Sequence, residues 1–399
     1  MNQASTARRR PQKAQKAQKA QKAQKNSEPQ KAQKAQTIKG MTLRETLTGA
    51  VVMAPMTKGS NLPYRRLCVE LGARVTISEM TVARRLKQRR KGEFALIRKF
   101  DGEPFFGVQL AGTNPAEIGW AAALVESRGA DLVDLNCGCP IDHFTHKGIG
   151  AALGRQPQRI RRIVEAMKKA VTTIPVTVKL RLGWNDETRN VIEQAQAAVD
   201  GGANALFVHG RTRNARYRFA ADWDAIGSVV AAVPVPVVGN GDILFPQDVE
   251  NARSRSGSVG VMSARGVLIK PWLFREVNEG YRDLSAEERV TIYRRYVTLA
   301  REHWGADPHG LERVRQFTRW HIDFWHRYRP RHPDGSFPQL QIRETEMIHA
   351  TPLDEFLART DEAAHEYLAD CLAFEREIDL SAVPSRGAAP EPEFVEAEG

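Results

Sequence analysis

Cysteine is scarce, with four residues in 399, too few for the disulfide framework that staples small secreted domains. Cys68 and Cys371 stand alone in apolar helical patterns and read as buried thiols. Cys137 and Cys139 form Cys-Gly-Cys, tighter than the two-residue spacing of a zinc knuckle, and no second cysteine pair or histidine cluster completes a metal site. No apolar run approaches the ~20 residues of a membrane helix, and the N-terminus lacks the apolar core of a secretory signal. A cytoplasmic chain with no membrane partner and no metal is therefore expected. No Gly-x-Gly-x-x-Gly turn follows the first apolar run, which argues against a doubly wound dinucleotide fold.

Acidic residues are also in deficit: 47 against 59 Lys and Arg, a net charge of +12. The excess is unevenly placed. Residues 1–40 carry eleven bases and one acid (Glu28), whereas residues 379–399 carry one base (Arg386) and five acids. The N-terminal segment repeats Gln-Lys-Ala and holds nothing large and apolar, so it is expected to be a disordered basic tail, dispensable for folding. It reads equally as an electrostatic arm for nucleic acid or as a solvated extension ahead of Met41. The acidic end reads as a second disordered tail.

From residue 51 onward, short runs rich in Val, Ile, Leu and Phe alternate with amphipathic stretches. The runs are 51–56, 74–80, 105–110, 131–137, 176–182, 205–211, 235–243 and 259–266, each the length of a buried parallel strand. Helical patterns lie between them at 62–71, 115–127, 158–171, 188–199, 225–232 and 246–252. Pro115 and Pro246 occupy first-turn positions, and Gly72, Gly129 and Gly201 follow helix ends. Eight βα units within residues 41–282 predict a (β/α)8 TIM barrel. After it, segments 285–304, 311–328 and 353–378 have helical periodicity, Ser285 and Glu288 form a capping box, and residues 283–378 are expected to be a separate all-α domain.

In such a barrel the chemistry gathers where strands end. Polar or unusual residues stand at those positions: Pro55-Met56, Glu79, Gln109, residues 136–140, Lys179 with Arg181, His209-Gly210-Arg211, Asn240-Gly241-Asp242 and Ala264-Arg265-Gly266. Each alone has a plain explanation; Lys179, for example, could pair with Asp134 inside the barrel. Together they ask for a ligand. The last two groups follow strands seven and eight, where barrels bind phosphate; glycines admit backbone N–H groups and Arg265 adds a bidentate cation. A buried Lys179 suits an electron-rich heterocycle. A flavin mononucleotide (FMN) meets both demands.

The segment Asn136-Cys137-Gly138-Cys139-Pro140 resembles the Asn-x-Gly-Cys-Pro signature of the tRNA-dihydrouridine synthases. The resemblance continues in order through Ala54-Pro55-Met56, Val108-Gln109-Leu110, Val178-Lys179-Leu180-Arg181, His209-Gly210-Arg211-Thr212, Gly239-Asn240-Gly241-Asp242 and Ala264-Arg265-Gly266. Ala221-Asp222-Trp223 and Lys270-Pro271-Trp272 look most like the eukaryotic-type branch that acts on the tRNA variable loop. That branch carries Cys/His zinc fingers ahead of the barrel, and this sequence has none. The resemblance implies that Pro55, Met56, Thr57, Gln109, Lys179 and His209 contact the flavin, and that Asn240, Gly241, Asp242, Ala264 and Arg265 hold its phosphate end. It implies Cys139 as proton donor, with Cys137 at the variable motif position, and Asn136 and Arg181 as contacts to the uracil. It further implies NADPH as electron donor, hydride from flavin N5 to uracil C6, and a proton from Cys139 to C5.

A uracil inside folded tRNA must be flipped out to reach a barrel mouth, which calls for a basic contact surface. Segment 311–328 and the residue after it offer Arg313, Arg315, Arg319, Arg327 and Arg329, with Phe317, Trp320, Phe324 and Tyr328 at core spacing; the arginines are expected to meet RNA. Segment 84–91, six bases in eight residues, is a second candidate contact. A monomer is expected. Two rival readings stay open: a small-molecule flavin barrel of the dihydroorotate dehydrogenase or ene-reductase kind, and a non-catalytic RNA-binding barrel.

Overall fold

The computed structural model describes residues 40–342 and 351–385; the expected basic tail, save Gly40, and the acidic end beyond residue 385 lie outside them. All eight apolar runs contain strands: β1 (Val51–Met53), β2 (Val75–Ile77), β4 (Phe106–Ala111), β5 (Leu132–Cys137), β6 (Val176–Arg181), β7 (Ala205–His209), β8 (Val237–Asn240) and β9 (Gly260–Ser263). A short β3 (Thr81–Val82), not anticipated, pairs with β4 beyond the end of β2. Every pairing between strands is parallel, and β1 pairs with both β2 and β9 while β2 pairs with β4, so the sheet closes on itself. This is the expected TIM barrel.

The helices are α1 (Leu43–Leu47), α2 (Leu62–Glu70), α3 (Ala83–Lys87), α4 (Lys91–Leu96), α5 (Pro115–Ser127), α6 (Asp142–Thr145), α7 (Pro157–Ala170), α8 (Val191–Asp200), α9 (Trp223–Ala232), α10 (Pro246–Ser256), α11 (Arg265–Ile269) and α12 (Leu273–Glu279). Their starts follow side-chain chemistry. The Asn61 carboxamide accepts from Tyr64 N at the head of α2, and Asn114 accepts from Ala116 N and Glu117 N ahead of Pro115. α9 closes on the barrel through Trp223, whose ring occupies the space where a Cβ on Gly239 would sit, 2.1 Å away. Only glycine allows that approach of helix to strand.

Among the described residues four helices follow the barrel: α13 (Ala286–Trp304), α14 (Pro308–Trp325), α15 (Pro352–Leu357) and α16 (Glu362–Ala373). The Ser285–Glu288 capping box is formed. The segment expected as one helix, 353–378, is instead broken: Asp361 turns out of helical geometry to accept from Ala364 N and is gripped by Arg359 at 2.7 Å. An Asp competes well for a cap and poorly for a helix interior. α13 lies on α2, with Tyr64 stacked on His321 of α14 at 4.2 Å and edge-on to Tyr296, and the ion pairs Arg66–Glu302 and Arg295–Glu70 cross the same contact.

Parallel register sets what the barrel presents at its mouth. Gln109 stands beside Asp134, Asp134 beside Thr177, and Asn136 beside Lys179. One level higher, Arg181, His209, Asn240 and Met262 form a row across β6 to β9. Alternate residues of each strand thus build polar layers inside an otherwise apolar barrel.

Candidate active site

At the C-terminal ends of the strands lies a cleft open to solvent. Of the residues given a flavin, phosphate, uracil or proton-donor role, all line it except Met56 and Thr57; Glu79 accepts from Lys58 N instead. Met56 is buried and its N–H donates to Ser60 Oγ at 2.8 Å, while Thr57 points outward on an exposed turn. Pro55, the residue before them, does line the cleft.

On the inner wall, Lys179 Nζ donates to Asn240 Oδ1 at 3.0 Å, and Asn240 Nδ2 donates to the Met262 carbonyl at 2.9 Å. Lys179 therefore reaches across to β8 and makes no hydrogen bond to Asp134. Gln109 Nε2 donates to Asp134 Oδ2 (2.8 Å), and Asn136 Nδ2 donates to Gln109 Oε1 (2.6 Å). Asn136 Oδ1 accepts the N–H groups of Gly138 (3.1 Å) and Cys139 (2.9 Å). Arg181 is buried, with Nε on the Gly138 carbonyl at 2.6 Å and an NH group on Thr212 O at 3.2 Å. The Cys139 loop is thus held from below by Asn136 and from the side by Arg181. All four cysteines are buried and none forms a disulfide.

The outer wall contains a residue to which sequence reasoning attached no role. Arg211, buried, donates to both oxygens of Asp242 at 2.6 Å, to Phe219 O at 2.6 Å, and approaches His209 Nε2 at 3.2 Å. Its signal was present in the His-Gly-Arg-Thr motif. Asp242 also accepts from Ala221 N (2.7 Å) and Gln341 Nε2 (2.6 Å). Leu340 and Tyr217 join the lining, and Arg265 lies over the Tyr217 ring at 4.1 Å. Leu340 and Gln341 come from the segment after α14 and carried no sequence signal.

Burial, then the neighbouring arginines and Lys179, hold His209 well below its ordinary range, so its imidazole is neutral. Burial, helped by Arg181 and opposed by Asp134, lowers Lys179 to about 7. Burial raises the Asp134 carboxyl to about 6 against the pull of its Gln109 and Thr177 hydrogen bonds and of Lys179. Lys179, Arg181, Arg211 and Arg265 outnumber the acids Asp242 and Asp134, so the cleft favours an anionic ligand. Gly241, at φ +135°, has a backbone that side chains rarely adopt, and a Cβ there would lie 2.5 Å from that of Ala221. The donor set fits a flat heterocycle with carbonyl acceptors against Gln109 and Lys179 and a phosphate beside Gly241, Ala264 and Arg265. Flavin mononucleotide has that chemistry. Among the described residues there is no cluster of His, Cys, Asp and Glu able to hold a metal ion, and no helix long and apolar enough to cross a membrane.

The model of the dihydrouridine synthase (Dus) family matches residues 52–326, the barrel together with α13 and α14. The chain belongs to the dihydrouridine synthase family. It is 40% identical over 299 residues to a tRNA-dihydrouridine(47) synthase [NAD(P)(+)] of Cryptococcus neoformans var. neoformans serotype D, covering 71% of this chain and 41% of that one. It is 40% identical over 290 residues to the human tRNA-dihydrouridine(47) synthase [NAD(P)(+)]-like protein, covering 72% of this chain and 44% of that one. This family member thus spans less than half the length of either relative. Among solved structures, a 2-naphthoyl-CoA reductase in complex with 2-naphthoyl-CoA superposes with a TM-score of 0.50 at 11% identity, over 59% of this chain and 50% of that one, a likeness of fold.

Proposed function

We propose that this dihydrouridine synthase family member reduces the C5–C6 double bond of a uridine in tRNA, with FMN as cofactor and NADPH as electron donor. The observation that carries the reading is Cys139, held on the Asn136 and Arg181 scaffold at the rim of a cationic cleft whose donors suit a flavin. When bound, FMN supplies hydride transfer, recharged by NADPH. Gln109 and Lys179 hydrogen-bond the heterocycle, and Lys179 stabilises negative charge on it. Gly241, Ala264 and Arg265 hold the phosphate, with Arg265 kept in place by Tyr217 and Asp242. Neutral His209 donates without adding charge. Cys139 delivers a proton to uracil C5 as hydride arrives at C6, acting as a general acid. Arg181 and Asn136 orient the loop and the uracil.

RNA must reach this mouth. The six bases at 84–91 are all exposed and, among the described residues, only Arg85 has an acidic partner, Glu93. They sit on α3, the turn after it and the first residue of α4, directly after β3, whose pairing with Leu110 and Ala111 sets it at the mouth end of β4. This supports a phosphate contact there. Expectations of a monomer and of a cytoplasmic location belong to the same proposal, as does an assignment of the barrel to cofactor and of 283–378 to tRNA; light scattering and fractionation test the first two. The deciding experiment is Cys139→Ala: it should keep flavin absorbance and lose dihydrouridine, read by nucleoside mass spectrometry on an unmodified tRNA transcript. Wild-type rates in that variant would sink the assignment.

A further inference from the structure

The barrel interior below the cleft holds a polar chain in which every orientation is dictated from its two ends. At the lower end, the carboxylate of Asp134, fully buried, accepts from Thr177 Oγ1 (2.7 Å) and from Gln109 Nε2 (2.8 Å). At the upper end, the N–H groups of Gly138 and Cys139 can only donate, and both reach Asn136 Oδ1. Between them lie two buried carboxamides, Gln109 and Asn136, joined by the bond from Asn136 Nδ2 to Gln109 Oε1. A carboxamide offers an acceptor on one side and donors on the other. With an acceptor-only group below and donor-only groups above, each amide has one satisfying orientation, and reversing either leaves like groups facing each other in a low-dielectric interior.

We propose that Asp134 is a positioning residue: its carboxylate orients the Gln109 and Asn136 amides and through them holds the Cys139 loop at the cleft. Asp134 itself is not among the residues lining the cleft, so its action is through the relay. The chain also fixes which face of Gln109 remains for a ligand, namely the second amide hydrogen. The catalytic meaning of this device rests on the reading of Cys139 as proton donor; the relay does not.

The test uses the flavin-loaded full chain with Asp134→Leu and Asp134→Asn. Leucine removes the acceptor; asparagine keeps one facing Gln109 and loses only the charge. In Asp134→Leu, hydrogen exchange at the Gly138 and Cys139 amides should quicken by about tenfold or more while the ladder-bonded amides of β5 stay within about twofold, and kcat should fall by about tenfold at unchanged KM for tRNA. Asp134→Asn should stay within about threefold of the parent in exchange and kcat, since the acceptor is retained. Parent-like exchange at residues 138 and 139 in the leucine variant, or a uniform rise along β5, overturns the proposal.

Should the leucine variant fail to fold, a polarity swap decides. Asn136→Asp places carboxylates at both ends of Gln109, which can donate to only one, so its thermal midpoint should fall below the parent's. Adding Asp134→Asn inverts both amides, satisfies every group and should restore the midpoint. A double variant no more stable than Asn136→Asp alone overturns the relay. If the parent forms no dihydrouridine, the catalytic reading fails, and the exchange and midpoint results still decide the relay.

Discussion

Arg211 joins three parts of the site through one side chain: the Asp242 carboxylate, the carbonyl of Phe219 and the neutral ring of His209. Because the guanidinium is buried, removing it takes away the closest cation of the Asp242 carboxylate, which keeps only Ala221 N, Gln341 and the more distant Arg265. Arg211→Met should cost about 3 kcal/mol, in the range for breaking such a pair from one side, read by urea unfolding, and should weaken flavin binding. Lysine should not rescue it, since one ammonium cannot reproduce the fork. Asp134 has a pH signature. Its folded carboxyl titrates near 6 against an ordinary value of 3.8, so its contribution to stability is whole below about pH 4 and is lost as pH rises through 6. The shift corresponds to roughly 3 kcal/mol. The stability difference between parent and Asp134→Asn should therefore change in the variant's favour across that window, and a flat difference in denaturation midpoints from pH 4 to 7 would contradict it.

Among the helices, the surprise is α14. Its sequence offers arginines to RNA, yet Arg315 pairs with Glu366 and Asp370, and Arg319 with Asp323 and Glu366. Arg329 is buried and donates to the carbonyls of His326 and Tyr328. Arg315 and Arg319 hold α14 to α16, and Arg313 is the exposed member of the set without an acidic partner among the described residues. The aromatic expectation fares better, for Phe324 and Tyr328 are buried and Phe317 and Trp320 partly so. The bases at 84–91, on α3 and the residues after it, are all exposed, and among the described residues only Arg85 has an acidic partner. Replacing Lys87, Arg89 and Arg90 by alanine should reduce the slope of log affinity for tRNA against log salt by about 2–3, near one per lost phosphate contact, at an unchanged thermal midpoint. The same change at Arg315 and Arg319 should lower the midpoint and leave the salt slope alone. Asp361→Ala should cost about 1 kcal/mol as a lost cap, measured by thermal unfolding.

The polypeptide returns to its own barrel mouth after α14. Phe337 stacks on Phe245 at 4.7 Å, Leu340 lines the cleft, and Gln341 donates to Asp242. Residues from the segment after α14 thus contribute to the cleft at the barrel mouth. Gln341→Ala should loosen Asp242 and raise the flavin dissociation constant about two- to tenfold, the worth of one hydrogen bond; fluorescence titration of the apoprotein with FMN gives the value.

Much of this was legible in the chain. Eight apolar runs of strand length spaced by amphipathic helices leave few folds, because strands buried on both faces must be covered, and the period of the pattern says by what. The strand-end residues followed, since parallel strands put all their C-terminal ends on one side. Other features were decided only in three dimensions. Lys179 chose Asn240 over Asp134, Arg315 and Arg319 chose acids on α16, and Leu340 and Gln341 reached the cleft from about 130 residues beyond His209. Periodicity reports which face of an element is buried; it carries no information about which distant group a charge or an amide will meet. That choice belongs to packing, because an ionic or hydrogen-bonding partner is selected by a few ångströms of geometry, not by composition.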